Sequence, residues 1–192
     1  MRIIVCALLL TLLALPAGAE DHVYDLGFAH AGMDLAEFRN GPWDQGRVIC
    51  SSDDDRPAEV EFFLPKGALR AGVSRCGLYA SDDGGRWHLL PKSVAGWPGE
   101  VLALFLPDQA GIQRLAQLKL VLPKAAFDDL AQTWDHLFGL PSFRRDQMVR
   151  WSSGAADATI IGDDGGHVQA YLVDNSLQSR MNRRLGQMPA QH

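Results

Sequence analysis

Apolar and polar residues alternate along much of this chain, and a period of two predicts β-strands. Where the alternation breaks, Asp, Gly and Pro cluster, as they do in turns. Short strands of this kind, in close succession, form antiparallel sheets. The predicted strands are 22–29, 46–50, 58–64, 74–80, 86–91, 99–107, 116–123, 146–153, 156–162 and 167–174.

Three segments instead have the apolar spacing of helices. In the longest, apolar residues at 127, 130, 131, 134, 137 and 138 form one face, and Gly139 and Pro141 end the helix. A two-turn helix is predicted after Asp34, which can cap it, with Glu37 three residues later. A last helix covers 175–186, where Leu177, Met181 and Leu185 are four residues apart.

These elements predict an α+β fold. Helix, strand, strand, strand occurs twice in that order, and VICSS at 48–52 is similar to VRWSS at 149–153. We therefore expect two diverged helix-plus-antiparallel-sheet units packed as one compact body, with a C-terminal helix. The first unit, 20–122, contains a hairpin with Cys76, and the second unit is 123–192.

Residues 1–19 have the pattern of a secretory signal peptide. Arg2 is followed by an apolar run from 3 to 15, and Ala17-Gly18-Ala19 supplies the small residues of a cleavage site. The run is shorter than the roughly 20 residues that span a bilayer. We expect cleavage after Ala19, a periplasmic location and no stable membrane insertion.

The charge balance argues against nucleic acid as a partner. The chain has 18 basic and 23 acidic residues and a net charge of −5, whereas nucleic-acid binding needs a basic surface. The expected partner is another periplasmic or envelope protein.

Cleavage after Ala19 would leave two cysteines, Cys50 and Cys76. In an oxidising compartment such a pair predicts a disulfide. A metal site would need further thiols or histidines, and a redox pair is more often Cys-x-x-Cys.

Three acidic segments invite a metal-binding interpretation: 51–57, 81–88 and 162–169. The last two share Asp-Asp-Gly-Gly, whereas a calcium loop of the EF-hand type alternates its oxygen ligands. Asp-Gly between apolar runs is typical of hairpin turns. The turn interpretation is preferred, and calcium binding stays open.

Recognisable catalytic motifs are absent from the sequence. The six histidines show no His-x-x-x-His or His-Glu-x-x-His spacing, and no Gly-x-Ser-x-Gly occurs. The sequence therefore favours a protein- or ligand-binding module with no cofactor over an enzyme. The alternative is a periplasmic hydrolase whose site is assembled from scattered residues around Asp53, Asp55 and His88.

Candidate interface residues are two tryptophans in loops rich in Gly and Pro, and the basic side of the last helix. Large aromatic rings and arginines are frequent at protein interfaces. The preferred interpretation of the terminal helix docks its apolar side on the sheet and leaves its arginines in water, and the alternative is contact with an acidic partner or anionic lipid headgroups. The candidates are Trp43, Trp97, Arg180, Arg183 and Arg184.

The segment HAGMDLAEFRNGP, followed by VICSS, resembles the helix start of the β-lactamase inhibitor protein and of small outer-membrane assembly lipoproteins. The second half is similar to exported bacterial proteins of unassigned role. The resemblance implies helices on an antiparallel sheet and a binding function. It also raises a further alternative, an inhibitor of a secreted enzyme, in which Trp43 or Trp97 would lie exposed on a concave sheet face.

Overall fold

A computed structural model describes residues 24–186, so the predicted signal peptide lies outside the described residues. One antiparallel sheet dominates this part of the chain. Its main path runs β1-β2-β5-β6-β10-β9-β8-β7, with β3 paired to β2 and β4 paired to β5. The strands are β1 Arg47–Cys50, β2 Ser74–Ser81, β3 Trp87–Leu89, β4 Lys92–Val94, β5 Trp97–Pro107, β6 Gln113–Pro123, β7 Phe143–Arg145, β8 Met148–Ser152, β9 Ala156–Gly162 and β10 His167–Asp174.

Four α-helices accompany the sheet: α1 Leu35–Arg39, α2 Lys66–Arg70, α3 Phe127–Phe138 and α4 Asn175–Gly186. A short 3-10 helix, Lys124–Ala126, leads directly into α3. The predicted α+β class is confirmed by this combination of helices with an antiparallel sheet.

The main core lies between one face of the sheet and α1, α3 and the segment from Tyr24 to Met33. Every second residue of the central strands points into it, as the pleat of a strand requires. Aromatic rings fill the centre, where Trp134 of α3 meets Trp151 of β8 with ring centroids 5.6 Å apart.

Helix α1 begins as predicted, because the Asp34 carboxylate accepts a hydrogen bond from the backbone N–H of Glu37 at 2.7 Å. Helix α4 uses the same device, and Asp174 accepts from the N–H of Leu177 at 2.8 Å. Capping of the first-turn amides fixes where both helices start.

Two predicted strands were wrong. Residues 24–29, the described part of the predicted strand 22–29, form no strand, and Asp25 makes an isolated bridge to His30. Residues 58–64 are irregular, and a helix that was not predicted, α2, follows them. Val60 and Phe62 nevertheless pack beside Tyr79 on the far side of the sheet, so the apolar alternation marks burial without strand pairing. Strands β4 and β7, of three residues each, were also not predicted.

The predicted disulfide is present. Cys50 and Cys76 face each other across the antiparallel pair β1–β2, and both are fully buried. The bond links residues 26 apart in sequence and ties the edge strand β1 to the rest of the sheet.

Candidate functional site: the open face of the sheet

Within residues 24–186, the second face of the sheet is covered only at its ends. Residues of α2 and α4 pack on one end through Ala68, Ala71, Leu177 and neighbours. The segment around Val60 packs beside β1, β2 and β3. The middle side chains are half-exposed, and we call this surface the open face: Leu102, Leu104, Gln117, Lys119, Val121, Thr159, Ile161, Gln169, Tyr171 and Val173.

Strand register aligns these side chains in rows that cross the sheet. Lys119 pairs with Leu102 on one side and with Tyr171 on the other. Tyr171 in turn pairs with Thr159, and Thr159 with Arg150 of β8. Side chains at paired positions are neighbours on the same face. The row therefore presents apolar, aromatic and cationic groups side by side.

Contacts within the open face hold its polar side chains in place. The Lys119 ammonium lies 5.8 Å from the centroid of the Tyr171 ring, within the range of a cation–π contact. The Tyr171 hydroxyl donates to Gln169 at 2.5 Å, and the Gln169 amide donates to Asp163 at 3.2 Å. Arg150 forms an ion pair with Asp157 at 2.7 Å. The arrangement is suited to recognition by shape and charge.

Neither candidate tryptophan lies on the open face. Trp43 packs edge-on against Phe28 and Phe38, and its indole N–H donates to the Phe38 carbonyl at 2.7 Å. Trp97 packs against the main core, and its indole N–H donates to Asp129 of α3 at 2.8 Å. Both are half-buried on the helical side of the sheet.

The three candidate arginines are on α4 and have different environments. Leu177 and Met181 dock this helix on the sheet beside Leu106 and Ala116. Arg184 donates to the Ala71 carbonyl at 3.2 Å, which joins α4 to the end of α2. Arg180 is half-buried and Arg183 is exposed. Arg183 is thus the most accessible of the three.

The two Asp-Asp-Gly-Gly segments form hairpin turns, as predicted. One joins β2 to β3, where Asp82 accepts from the N–H groups of Gly84 and Arg86, each at 2.9 Å. The other joins β9 to β10, where Asp163 accepts from the His167 N–H at 2.8 Å. In both, the carboxylate satisfies the backbone amides of its own turn.

These hydrogen bonds lower the pKa of both carboxyl groups. For Asp82 the largest cause is the N–H of Arg86, and for Asp163 it is the N–H of His167. A hydrogen bond donated to the charged form favours that form. The ionised carboxylates therefore stabilise the folded state at pH values above the pKa of an unfolded aspartate, about 3.9. This contribution is lost as the pH falls through the lower pKa of the folded state.

We expect Asp163 to titrate at lower pH in the folded protein than in the chain unfolded by urea. Carboxyl ¹³C shifts followed by NMR would measure both values. The wild-type protein should have a larger free energy of unfolding than Asp163→Asn, and this difference should shrink as the pH falls below about 4. An Asp163 pKa in the folded protein equal to or above that in the unfolded chain would contradict the stabilising role given to these hydrogen bonds.

The residues of the hydrolase hypothesis have separate partners. Asp53 is bound by the Arg39 guanidinium and accepts from the Cys50 N–H at 2.9 Å. Asp55 pairs with Arg47 at 3.4 Å, and His88 is exposed on β3. Within residues 24–186, no group of three or more His, Cys, Asp or Glu side chains is arranged to hold a metal ion.

No helix in the described range is both long and apolar enough to cross a bilayer. No family model, curated protein or solved structure matches this chain. The open face therefore stands as the candidate site on its own geometry.

Sequence reasoning missed the open face, although one signal was present. Residues 101–106 are all apolar, a pattern of strands buried on both faces. In the structure, Leu102 and Leu104 are half-exposed while Val101, Ala103 and Phe105 are buried. A central strand with apolar residues on both sides needs cover on both faces of the sheet. When the predicted helices are too few to cover both faces, one apolar surface is expected to stay uncovered.

Proposed function

We propose that this chain is an exported, non-catalytic binding protein whose open face holds another envelope protein. The observation that carries the proposal is the row from Leu102 through Lys119, Tyr171 and Thr159 to Arg150, half-exposed or exposed at the middle of the sheet. Contiguous surfaces that mix apolar and aromatic groups with arginine are typical of interfaces.

The charge of the open face indicates what the partner must carry. By strand alternation, this side of the central and outer strands contains more cations than anions although the chain is acidic overall. The partner should therefore present an acidic surface, which would also speed its association. The cations are Arg47, Arg75, Lys119, Arg145 and Arg150, and the anions are Glu100 and Asp157.

Export is supported by two observations. Residues 1–19 have the signal-peptide pattern, and the Cys50–Cys76 bond is of the kind that persists in oxidising compartments. A periplasmic protein that binds through a sheet is also what the resemblance to the inhibitor and assembly proteins implies. That resemblance remains part of the proposal.

The proposed duplication is supported by topology. Each half has a helix followed by four successive strands of the main sheet path, and the last strand of each half, β6 or β10, pairs at the centre. Outward from that centre the strand order is mirrored, β6-β5-β2-β1 against β10-β9-β8-β7. We propose that the two halves are diverged copies that joined their sheets edge to edge.

The proposal is tested by charge reversal on the open face. Tagged full-length chain is expressed in the organism that encodes it and captured under mild conditions, with co-purifying proteins quantified. We expect Lys119→Glu to reduce recovery of a specific partner about tenfold or more, since like charges across an interface are unfavourable. Lys124→Glu, an exposed lysine just after β6, is the matched control and should retain the partner. Equal recovery with both variants would refute the proposal.

A further inference from the structure

A depression of about 240 Å³ opens on the open face between β5 and the segment before α2. Leu102 and Leu104 form its floor, and Phe63, Leu64 and Pro65 form one wall. Arg75, Gln117 and Lys119 line the remainder. We call it the Phe63 depression. Small-molecule sites have this composition, an apolar surface with a few polar groups.

The apolar part of this depression is in contact with water. Phe63 is 86% exposed, the second largest exposure of a large hydrophobic residue between residues 24 and 186. Leu102 and Leu104 are half-exposed beside it. An apolar chain laid against the two leucines and the Phe63 ring would remove this surface from water, which is favourable in proportion to the area covered.

Two cations border the leucine floor from opposite sides. In the strand register, Lys119 of β6 pairs with Leu102, and Arg75 of β2 pairs with Leu104. Arg75 donates one hydrogen bond, to the Phe63 carbonyl at 3.0 Å, and the remaining N–H groups of its guanidinium can bind an anion. Neither cation is in an ion pair with a carboxylate of residues 24–186, so their positive charge is not neutralised at close range there.

We propose that the Phe63 depression binds an anionic amphiphile, a medium-chain carboxylate. The chain lies on Leu102 and Leu104 beside Phe63, and the carboxylate accepts a charge-assisted hydrogen bond from Lys119, while Arg75 adds positive charge on the other side of the leucines. A cationic amphiphile would be repelled by the same two groups, and a neutral alcohol would lose the charge-assisted hydrogen bond. This inference goes beyond the proposed function, since a free small molecule is the ligand.

The test is isothermal titration of the purified protein with decanoate and decyltrimethylammonium, each below its micelle concentration, and with decanol below its solubility limit. We expect saturable binding of one decanoate per chain, with decanol at least tenfold weaker because the carboxylate contacts are lost. Decyltrimethylammonium should not bind. Decanol binding as tightly as decanoate, or no decanoate binding at millimolar concentration, would overturn the proposal.

Two exposed-surface variants locate the site without threatening the core. Lys119→Gln removes one cation and should weaken decanoate binding about tenfold. Phe63→Ala removes the aromatic ring that lines the depression and should weaken decanoate binding at least threefold, since apolar contact area is lost. Their controls are Lys124→Gln and Leu140→Ala, an exposed lysine and a leucine that is 96% exposed, and both should bind within twofold of wild type.

Wild-type affinity in both test variants, or equal losses in the control variants, would place decanoate elsewhere and overturn the proposal. This result is independent of partner capture. Decanoate binding with no captured protein would sustain the inference and refute the proposed function. A captured protein partner with no decanoate binding would sustain the proposed function and refute the inference. A ten-residue peptide rich in Asp and Leu is titrated in parallel. If the peptide binds and decanoate does not, the depression belongs to the protein interface.

Discussion

Replacing Trp151 with alanine is expected to lower the free energy of unfolding by about 3–5 kcal/mol, the range for removing a large aromatic side chain from a core. Trp151 is fully buried on β8, 5.6 Å from the Trp134 ring and 6.1 Å from the Phe138 ring. Its indole N–H also donates to the Gly139 carbonyl at 2.9 Å. The substitution therefore leaves a cavity under α3 and removes the hydrogen bond to the carbonyl that follows that helix. Urea denaturation followed by circular dichroism would measure the loss.

The matched control is Trp87→Ala on β3. Trp87 is half-buried, and its ring lies 4.7 Å from the Arg47 guanidinium, a cation–π contact at the surface. We expect a loss below about 1.5 kcal/mol, because little core volume is removed. Equal losses for the two tryptophans would contradict the placement of Trp151 in the main core and of Trp87 at the half-exposed end of the sheet.

The double variant Cys50→Ala/Cys76→Ala is expected to lose about 3 kcal/mol of stability. The disulfide closes a loop between residues 26 apart in sequence, and its main effect in the chain-entropy account is to restrict the unfolded chain. Both cysteines are fully buried, and alanine at these positions places no polar group in the core. Equilibrium unfolding in urea gives the difference directly.

Reductant provides the control for the disulfide. Wild-type protein unfolded and refolded with reductant should match the double variant, and the double variant should not respond to reductant. If the oxidised and reduced wild-type proteins unfold at the same urea concentration, the bond contributes nothing to stability and this account of the β1 edge is wrong.

The sequence was sufficient to predict most of the regular elements. Strict apolar spacing identified α3, the Asp34 cap located α1, and the Asp-Gly turns located the hairpins after β2 and β9. In each of these cases a local interaction decides the structure. The Cys50–Cys76 bond was predictable for another reason, because only two cysteines follow the predicted cleavage site.

Tertiary contacts determined what the sequence could not predict. The segment 58–64 alternates like a strand, yet no neighbouring strand pairs with it and its apolar residues pack as a loop against Tyr79. Trp43 and Trp97 occur in Gly- and Pro-rich sequence that predicts exposed loops, but Trp97 begins β5, and indole hydrogen bonds to the Phe38 carbonyl and to Asp129 hold the two rings against the core. The open face depends on which side α1 and α3 occupy, and alternation alone does not specify that side.

The most direct measurement is photo-cross-linking from single positions in the living cell. A benzophenone amino acid at Thr159 lies in the middle row of the open face, and one at Asp128 lies on the opposite, helical side. We predict one discrete cross-linked protein from Thr159, lost when Lys119→Glu is added, and none from Asp128. Cross-links of equal yield from both positions, or none from Thr159, would contradict binding through the open face.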